Sequence, residues 1–357
     1  MLPPDWLELT LWSAVERGAS DIHVEPFADH IRVRLRVDGF LLETQRLDVA
    51  DAALVATRIK VAAQLDIAER HVPQDGRLTW QFGQAFVDFR VSVLPTLHGE
   101  KAVLRLQDRL ASSLDLPAIG LAPEQESLLR RHLDMPHGLI LVTGPTGSGK
   151  TVTLYAALQY LNRIHRNVST VEDPIELAIE GINQVAMNPR RGLDFATVMK
   201  GFLRQDPDVL MVGEIRDPET ADIAVKAAQT GHLVLSTLHT NDAPQAVQRL
   251  VSLGVPLHDL ADSLSLVVAQ RLVRRLHHCG GGCRQCNQGF RGRAGIFELL
   301  PLAAADRPAL QAQQFSLAAL REHMRRCGQP SLRESGDAKV AQGITVASEV
   351  IRVCMEN

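Results

Sequence analysis

The stretch Gly144-Pro145-Thr146-Gly147-Ser148-Gly149-Lys150-Thr151 fits the phosphate-loop pattern G-x-x-x-x-G-K-[ST] with no mismatch. Leu139-Ile140-Leu141-Val142 ahead of it reads as a short buried strand, and Val152 to Asn162 behind it reads as a helix. That strand–loop–helix setting separates a working loop from a chance match. Glycines let backbone N–H groups turn inward around an anion, and the helix N-terminus adds partial positive charge. The Lys150 ammonium is expected against the β- and γ-phosphates of a bound nucleotide, and the Thr151 hydroxyl on Mg²⁺.

From Glu124 onward strands and helices alternate, which predicts an α/β domain with a mostly parallel sheet. Leu139 to Val142, Val168 to Val171, Val209 to Val212 and Leu233 to Ser236 are short and apolar throughout, as central parallel strands should be. Two of them run into acids. Asp208-Val209-Leu210-Met211-Val212-Gly213-Glu214 has the form of a Walker B strand, with Glu214 expected to hold Mg²⁺ through water. Thr170-Val171-Glu172-Asp173-Pro174-Ile175-Glu176 is where a water-activating carboxylate belongs beside a phosphate site. Alone, that second stretch would read as a solvated acidic turn; the neighbouring loop favours a functional one. The tail beyond Leu302 is Ala/Gln/Arg-rich and reads as helical.

Upstream, residues 1–108 read as a small α/β domain and 109–123 as a linker to an ATPase domain over 124–357. Trp6 to Arg17 and Ala50 to Leu65 are helix candidates. Ile31 to Val37 alternates strictly, Asp38-Gly39 fits a tight hairpin turn, and Phe40-Leu41-Leu42 starts the return strand. Arg77 to Trp80, Ala85 to Val93 and Lys101 to Leu106 read as three further strands.

At 357 residues the chain has room for two cores, and its 45% apolar and 22% charged residues are those of an ordinary globular protein. A net charge of −3 offers no basic field for nucleic acid, so none is expected as a partner. No apolar run approaches the ~18 residues of a membrane span. The opening Met1-Leu2-Pro3-Pro4-Asp5 has no signal-peptide character. A cytoplasmic protein that meets membranes only through protein partners is the expectation.

Several strings together resemble the type II secretion and type IV pilus assembly ATPases. They are Leu203-Arg204-Gln205-Asp206-Pro207 running through Glu214-Ile215-Arg216-Asp217, Thr230-Gly231-His232 through His239-Thr240-Asn241-Asp242, Ala19-Ser20-Asp21-Ile22-His23-Val24-Glu25-Pro26, and Val72-Pro73-Gln74-Asp75-Gly76-Arg77. The resemblance implies a RecA-like P-loop ATPase domain behind a PAS-like nucleotide-covering domain, with ATP between them and six copies in a ring. It implies that Glu172 and Asp173 belong to an Asp box and His232 and His239 to a His box. Carried over by position, Glu172 is the water-activating base, Glu214 the Walker B acid and His232 the γ-phosphate sensor. Arg90, Arg105 and Arg204 match arginines that approach the phosphates. Lys200 stands where relatives carry another arginine, and a lysine lacks the planar fork. Arg34 and Arg36 read as charges of an exposed strand face. The implied activity is ATP hydrolysis by a homohexameric motor, peripheral to the inner membrane through a platform protein. Secretion, pilus assembly, retraction, DNA uptake and a nucleotide-binding scaffold without motor activity stay open.

The chain departs from that family twice. It starts almost directly at the nucleotide-covering domain, so a short form lacking the extra N-terminal domain of larger members is the expectation. Of the family's two C-x-x-C pairs only Cys283-Arg284-Gln285-Cys286 is whole; Cys279, with His277 and His278, replaces the first. His277, Cys279, Cys283 and Cys286 still supply the four N/S ligands of tetrahedral Zn²⁺. Gly280-Gly281-Gly282 leaves little chain to wrap an ion, and a metal-free remnant is the other reading. The cysteine spacing also matches radical-SAM enzymes. There the cysteines would follow the first strand of a barrel; here they follow a segment that reads as helical and arginine-rich.

Overall fold

Alternating apolar and charged side chains build the first of two units. The computed structural model describes residues 2–107, 114–279, 283, 286–312 and 314–354. One unit comprises Met1–Ser112 with His277–Gly292, the other Ser113–Leu276 with Arg293–Asn357. In the first, helix α1 (Trp6–Glu16) precedes β1 (Ala19–Pro26), β2 (His30–Val37) and β3 (Phe40–Asp48). Helix α2 (Ala52–Ala62) then leads to β4 (Gln74–Phe82), β5 (Ala85–Thr96) and β6 (Gly99–Gln107). The strands form an antiparallel sheet in the order β3-β2-β1-β6-β5-β4. The hairpin turn is as expected: Asp38 and Gly39 both have positive φ, at 50° and 88°.

Period-two alternation gives this sheet two unlike faces. Ile22, Val24, Val33, Leu35, Phe89, Val91 and Leu104 bury one face under Trp6, Leu11, Val55 and Ile59 of the helices. On the other face Asp21, His23 and Glu25 stand in register with Arg36, Arg34 and Arg32. Glu25 pairs with Arg32, Arg34 and Lys101. Burial works against its charge, yet hydrogen bonds from Arg34 and Lys101 hold its carboxyl down at about 2. Arg34 is thus an ion-pair partner of Glu25, and Arg36 Nε lies 3.7 Å from Asp21 Oδ2.

The second unit begins with α3 (Pro123–Leu133), β7 (Gly138–Thr143), α4 (Lys150–Leu161), β8 (Val168–Glu172) and β9 (Asn183–Ala186). Then come α5 (Phe195–Phe202), β10 (Val209–Val212), α6 (Pro218–Gln229), β11 (Leu233–Leu238), α7 (Ala243–Ser252) and α8 (Leu257–Ser263). The long strands β12 (Leu264–Leu276) and β13 (Phe290–Pro301) follow, then α9 (Arg307–Ala312), α10 (Leu317–Arg326), α11 (Leu332–Ala341) and α12 (Ala347–Val353). The sheet order is β13-β12-β7-β11-β10-β8-β9, parallel from β12 to β9. Helices cover both faces. Leu139 and Leu141 point toward α5, α6 and α7, whereas Ile140 and Val142 point toward α3 and α4. The fold is thus α/β in both units, with the expected mostly parallel sheet in the second. Among the described residues no helix is long and apolar enough to cross a membrane.

Three expectations change. The segment before the cysteines is not helical but is β12; Val267, Val268 and Val273 are β-branched and fully buried, which suits a strand hydrogen-bonded beside β7. Of the expected linker, 109–113 lie outside the described residues, while Leu116 and Leu121 are buried in the core beside α3 and α4. That part belongs to the second unit's packing. The cysteine segment, expected with the ATPase domain, groups with the first unit, where the Gly292 N–H donates to Asp38 Oδ2 at 2.8 Å.

Candidate functional site

A parallel sheet collects the loops that follow its strands along one edge, and here the phosphate loop leaves β7 on that edge. Gly144, Gly147 and Gly149 have φ of 152°, 79° and 89°, conformations open chiefly to glycine. A Cβ on Gly144 would lie 2.5 Å from the Gln270 carbonyl oxygen, so that position also needs the space. Helix α4 starts at Lys150, and its first N–H groups have no carbonyl partner within the helix. The Ser148 hydroxyl is buried in the cradle without a partner. Lys150 Nζ donates to the Gly144 and Pro145 carbonyls of its own loop at 2.8 and 3.1 Å. Burial brings its ammonium down to about 8; the Glu214 carboxylate pulls upward and Arg271 adds to the drop. Thr151, one residue on, is exposed. Orphan N–H groups, an orphan hydroxyl and a buried ammonium are the complement of a polyphosphate.

Glu214 lies just beyond β10 on the same edge. It pairs with Arg216, and His239 Nε2 is 3.5 Å from its Oε2. His239 follows β11 directly; burial and Lys150 lower its pKa, while Glu214 opposes them. Glu214, Ile215, Arg216, Leu238, His239 and Arg249 line a cleft of about 380 Å³. The segment after β11 is tied to the strand before the loop by the Thr143–Thr240 hydroxyl pair at 2.7 Å. Lys150, Glu214 and His239 therefore share one electrostatic neighbourhood.

Two assigned residues sit differently from their expected roles. Glu172 ends β8 on the correct edge but is buried. Its Oε2 accepts from Tyr155 Oη at 2.5 Å, and its Oε1 from Thr170 Oγ1 at 2.6 Å and Gln184 Nε2 at 3.0 Å. Both oxygens are engaged, the environment of a hub rather than of a base facing water. Tyr155 Oη also accepts the Glu176 and Leu177 N–H groups, so this hub shapes the acid turn. His232 precedes Leu233, the first residue of β11, on the edge opposite the loop. A six-residue strand puts roughly 20 Å between those edges. Its Nδ1 instead lies 2.9 Å from the Ala227 carbonyl oxygen, at the end of α6.

Arg204 also lies on that far edge, exposed, with Nη1 donating to the Lys200 carbonyl at 2.7 Å. Lys200 itself pairs with Glu219. In the first unit Arg77, Arg90 and Arg105 form a cross-strand row over β4, β5 and β6. They line a cleft of about 520 Å³ with Asp75, Gly76, Val91, Ser92 and Val103. Asp21 holds Arg105 Nε at 2.9 Å.

His277, Cys279, Cys283 and Cys286 converge, with their ligand atoms within 4.8 Å of one another. Cys279 Sγ lies 3.5 Å from Cys286 Sγ, and Cys283 Sγ 3.6 Å from His277 Nδ1. Tetrahedral zinc with bonds near 2.3 Å holds its ligands about 3.8 Å apart, so the donor set fits the ion. His278 is not among the four.

Sequence reasoning missed the groups that build the site from beneath. Gln270 on β12 accepts Thr153 Oγ1 at 2.6 Å, and Arg271 donates to the Gln270 and Asn241 carbonyls at 3.0 and 2.6 Å. No motif marks them. For His239 a signal existed: the residue after a parallel strand, not the one before it, faces the loop.

The fold and this edge define the class, a RecA-like P-loop domain. The chain belongs to the type II/IV secretion ATPase family, whose profile, described as "Type II/IV secretion system protein", matches residues 4–352. It is 45% identical to the type IV pilus assembly ATPase PilB of Pseudomonas aeruginosa over 96% of this chain and 66% of that one. It is 46% identical to the type II secretion system ATPase E of Vibrio cholerae, over 97% and 74%. The chain thus spans just under two thirds of the PilB relative. Among solved structures, the pilus retraction motor PilT with bound ADP superposes with a TM-score of 0.71 at 27% identity, over 98% of this chain and 97% of that one. The Legionella pneumophila ATPase DotB shares the fold, with a TM-score of 0.78 at 22% identity, over 98% and 95%.

Proposed function

We propose that the chain hydrolyses ATP and is the motor of a type II secretion or type IV pilus assembly machine. One observation carries the ATPase reading: Lys150, Glu214 and His239 gather where the orphan N–H groups of α4 point. Lys150 would leave its two loop carbonyls to hold the β- and γ-phosphates. Thr151 and Glu214 would hold Mg²⁺, which supplies charge neutralisation between the phosphates when bound. Glu214, the carboxylate in the cleft, would also orient the attacking water. His239 takes the γ-phosphate contact first expected of His232, because it stands on the correct edge. Glu172 fixes the acid turn through Tyr155 and Gln184. Arg90, Arg105 and Arg204 are proposed as phosphate contacts, Arg204 from a neighbouring copy. His277, Cys279, Cys283 and Cys286 are proposed as a structural Zn²⁺ site.

The identity to assembly and secretion ATPases supports the machine assignment. A homohexameric ring, an inner-membrane platform partner and a cytoplasmic, peripherally attached location follow from that reading as proposals. Steady-state ATPase assays test the chemistry. Glu214→Gln is expected to cost roughly a hundred-fold or more in kcat while nucleotide still binds. Glu172→Gln is expected to lower thermal stability and keep measurable turnover. Equal rates for wild type and Glu214→Gln would remove the reading.

A further inference from the structure

Arg271 is a buried cation held by carbonyl oxygens, on which Glu298 and Asp242 act only through their field. It is 7% exposed, and both of its hydrogen bonds go to carbonyl oxygens, those of Gln270 and Asn241. No carboxylate among the described residues forms an ion pair with it. Of the other buried cations among the described residues, Lys60 pairs with Glu100 and Arg274 with Glu349, whereas Lys150 of the phosphate loop is, like Arg271, held by carbonyl oxygens. A buried charge left unpaired is unfavourable, and such groups collect where a charged ligand arrives. The place is telling. A Cβ on Gly144 would lie 3.2 Å from Arg271 Nη1, so the guanidinium sits directly behind the first glycine of the phosphate loop. Its other hydrogen bond fixes the Asn241 carbonyl, two residues beyond His239.

We propose that Arg271 is an electrostatic residue of the phosphate site: from behind the loop it supplies the positive potential that a bound nucleoside polyphosphate neutralises, while tying the loop to the segment that carries His239. It touches the ligand through neither hydrogen bond and acts through its field. The effect of this cation on its neighbour supports the placement, for Arg271 is the repelling charge that adds to the fall in Lys150 basicity. The proposal rests on the nucleotide reading above.

Two variants of the full chain separate charge from shape. Arg271→Gln keeps an N–H donor for the carbonyls and removes the charge; Arg271→Lys keeps the charge and loses the fork. ADP and a slowly hydrolysed ATP analogue with Mg²⁺ serve as probes, read by calorimetry beside nucleotide-free melting curves. Arg271→Gln is expected to weaken both probes about ten-fold, with a nucleotide-free Tm within a few degrees of wild type. Arg271→Lys is expected to stay within about three-fold of wild type. The inference is overturned if Arg271→Gln binds like wild type, or if Arg271→Lys loses as much as Arg271→Gln. It is also overturned if nucleotide-free Arg271→Gln melts more than about ten degrees lower, which would make the arginine a requirement of the fold. Lys150→Ala is the control for the underlying reading. Wild-type binding by Lys150→Ala would sink the nucleotide site itself, whatever Arg271 does.

Discussion

Lys150 is where burial, charge and ligand meet in one side chain. With its pKa near 8 in the nucleotide-free protein, the ammonium begins to lose its proton just above neutral pH. A bound polyphosphate raises that pKa, so above pH 8 binding takes up a proton and affinity falls as pH rises. The dissociation constant of a fluorescent ADP should be flat from pH 7 to about 8, then rise up to about ten-fold per unit. A flat profile to pH 9.5 would contradict the buried ammonium with its lowered pKa. The loop was legible in the sequence because its chemistry is local: eight consecutive residues carry the glycines, the lysine and the hydroxyl. The surroundings of Glu172 and His232 were not legible there, because motif spacing encodes neither burial nor strand edge. Glu172 looks like any acid at a strand end until Tyr155, Thr170 and Gln184 surround it. Arg271 has no motif at all; only the pairing of β12 with β7 brings it under the loop.

Strands and helices of the second unit were readable where one physical rule dominates. Central strands such as β7, β10 and β11 are buried on both faces and so apolar throughout. By contrast, β12 mixes buried valines with Arg271, Arg274 and Arg275, and that mixture imitated a helical charge pattern. Short β9 is polar and sits at the sheet edge, leaving too little signal. β13 hides a further device. Its Glu298 is 5% exposed and accepts the Ala243 N–H at 2.8 Å and the Leu332 N–H at 3.1 Å, the first residues of α7 and α11. Burial raises its pKa, while the two N–H groups pull the other way. One carboxylate thus caps two helices that lack other partners for those groups. Glu298→Gln turns one acceptor into a donor facing an N–H and should cost about 2 kcal/mol in urea unfolding. An unchanged unfolding midpoint would show that the caps are not needed.

The chain is divided into units that sequence order does not respect. After Leu276 it leaves the second unit, spends His277–Gly292 in the first, and returns at Arg293. No residue pattern announces this, because which body a connecting segment packs on is a property of tertiary contact. The segment carries little apolar surface of its own, so burial cannot hold it. Among its fixed points are the Gly292–Asp38 hydrogen bond and the cluster of His277, Cys279, Cys283 and Cys286. A small element with four converging N/S donors would gain its order from an ion bound there. Protein purified without chelator should carry about one zinc per chain, and Cys283→Ser with Cys286→Ser should carry almost none. The double variant should be cut by trypsin within residues 277–292 about ten-fold faster than wild type, since local opening sets the rate of cleavage there. Its affinity for ADP should stay within two-fold of wild type, because the phosphate loop belongs to the other unit. Wild-type protein free of zinc, with both forms digested at one rate, would reduce the cluster to a metal-free, thiol-rich turn.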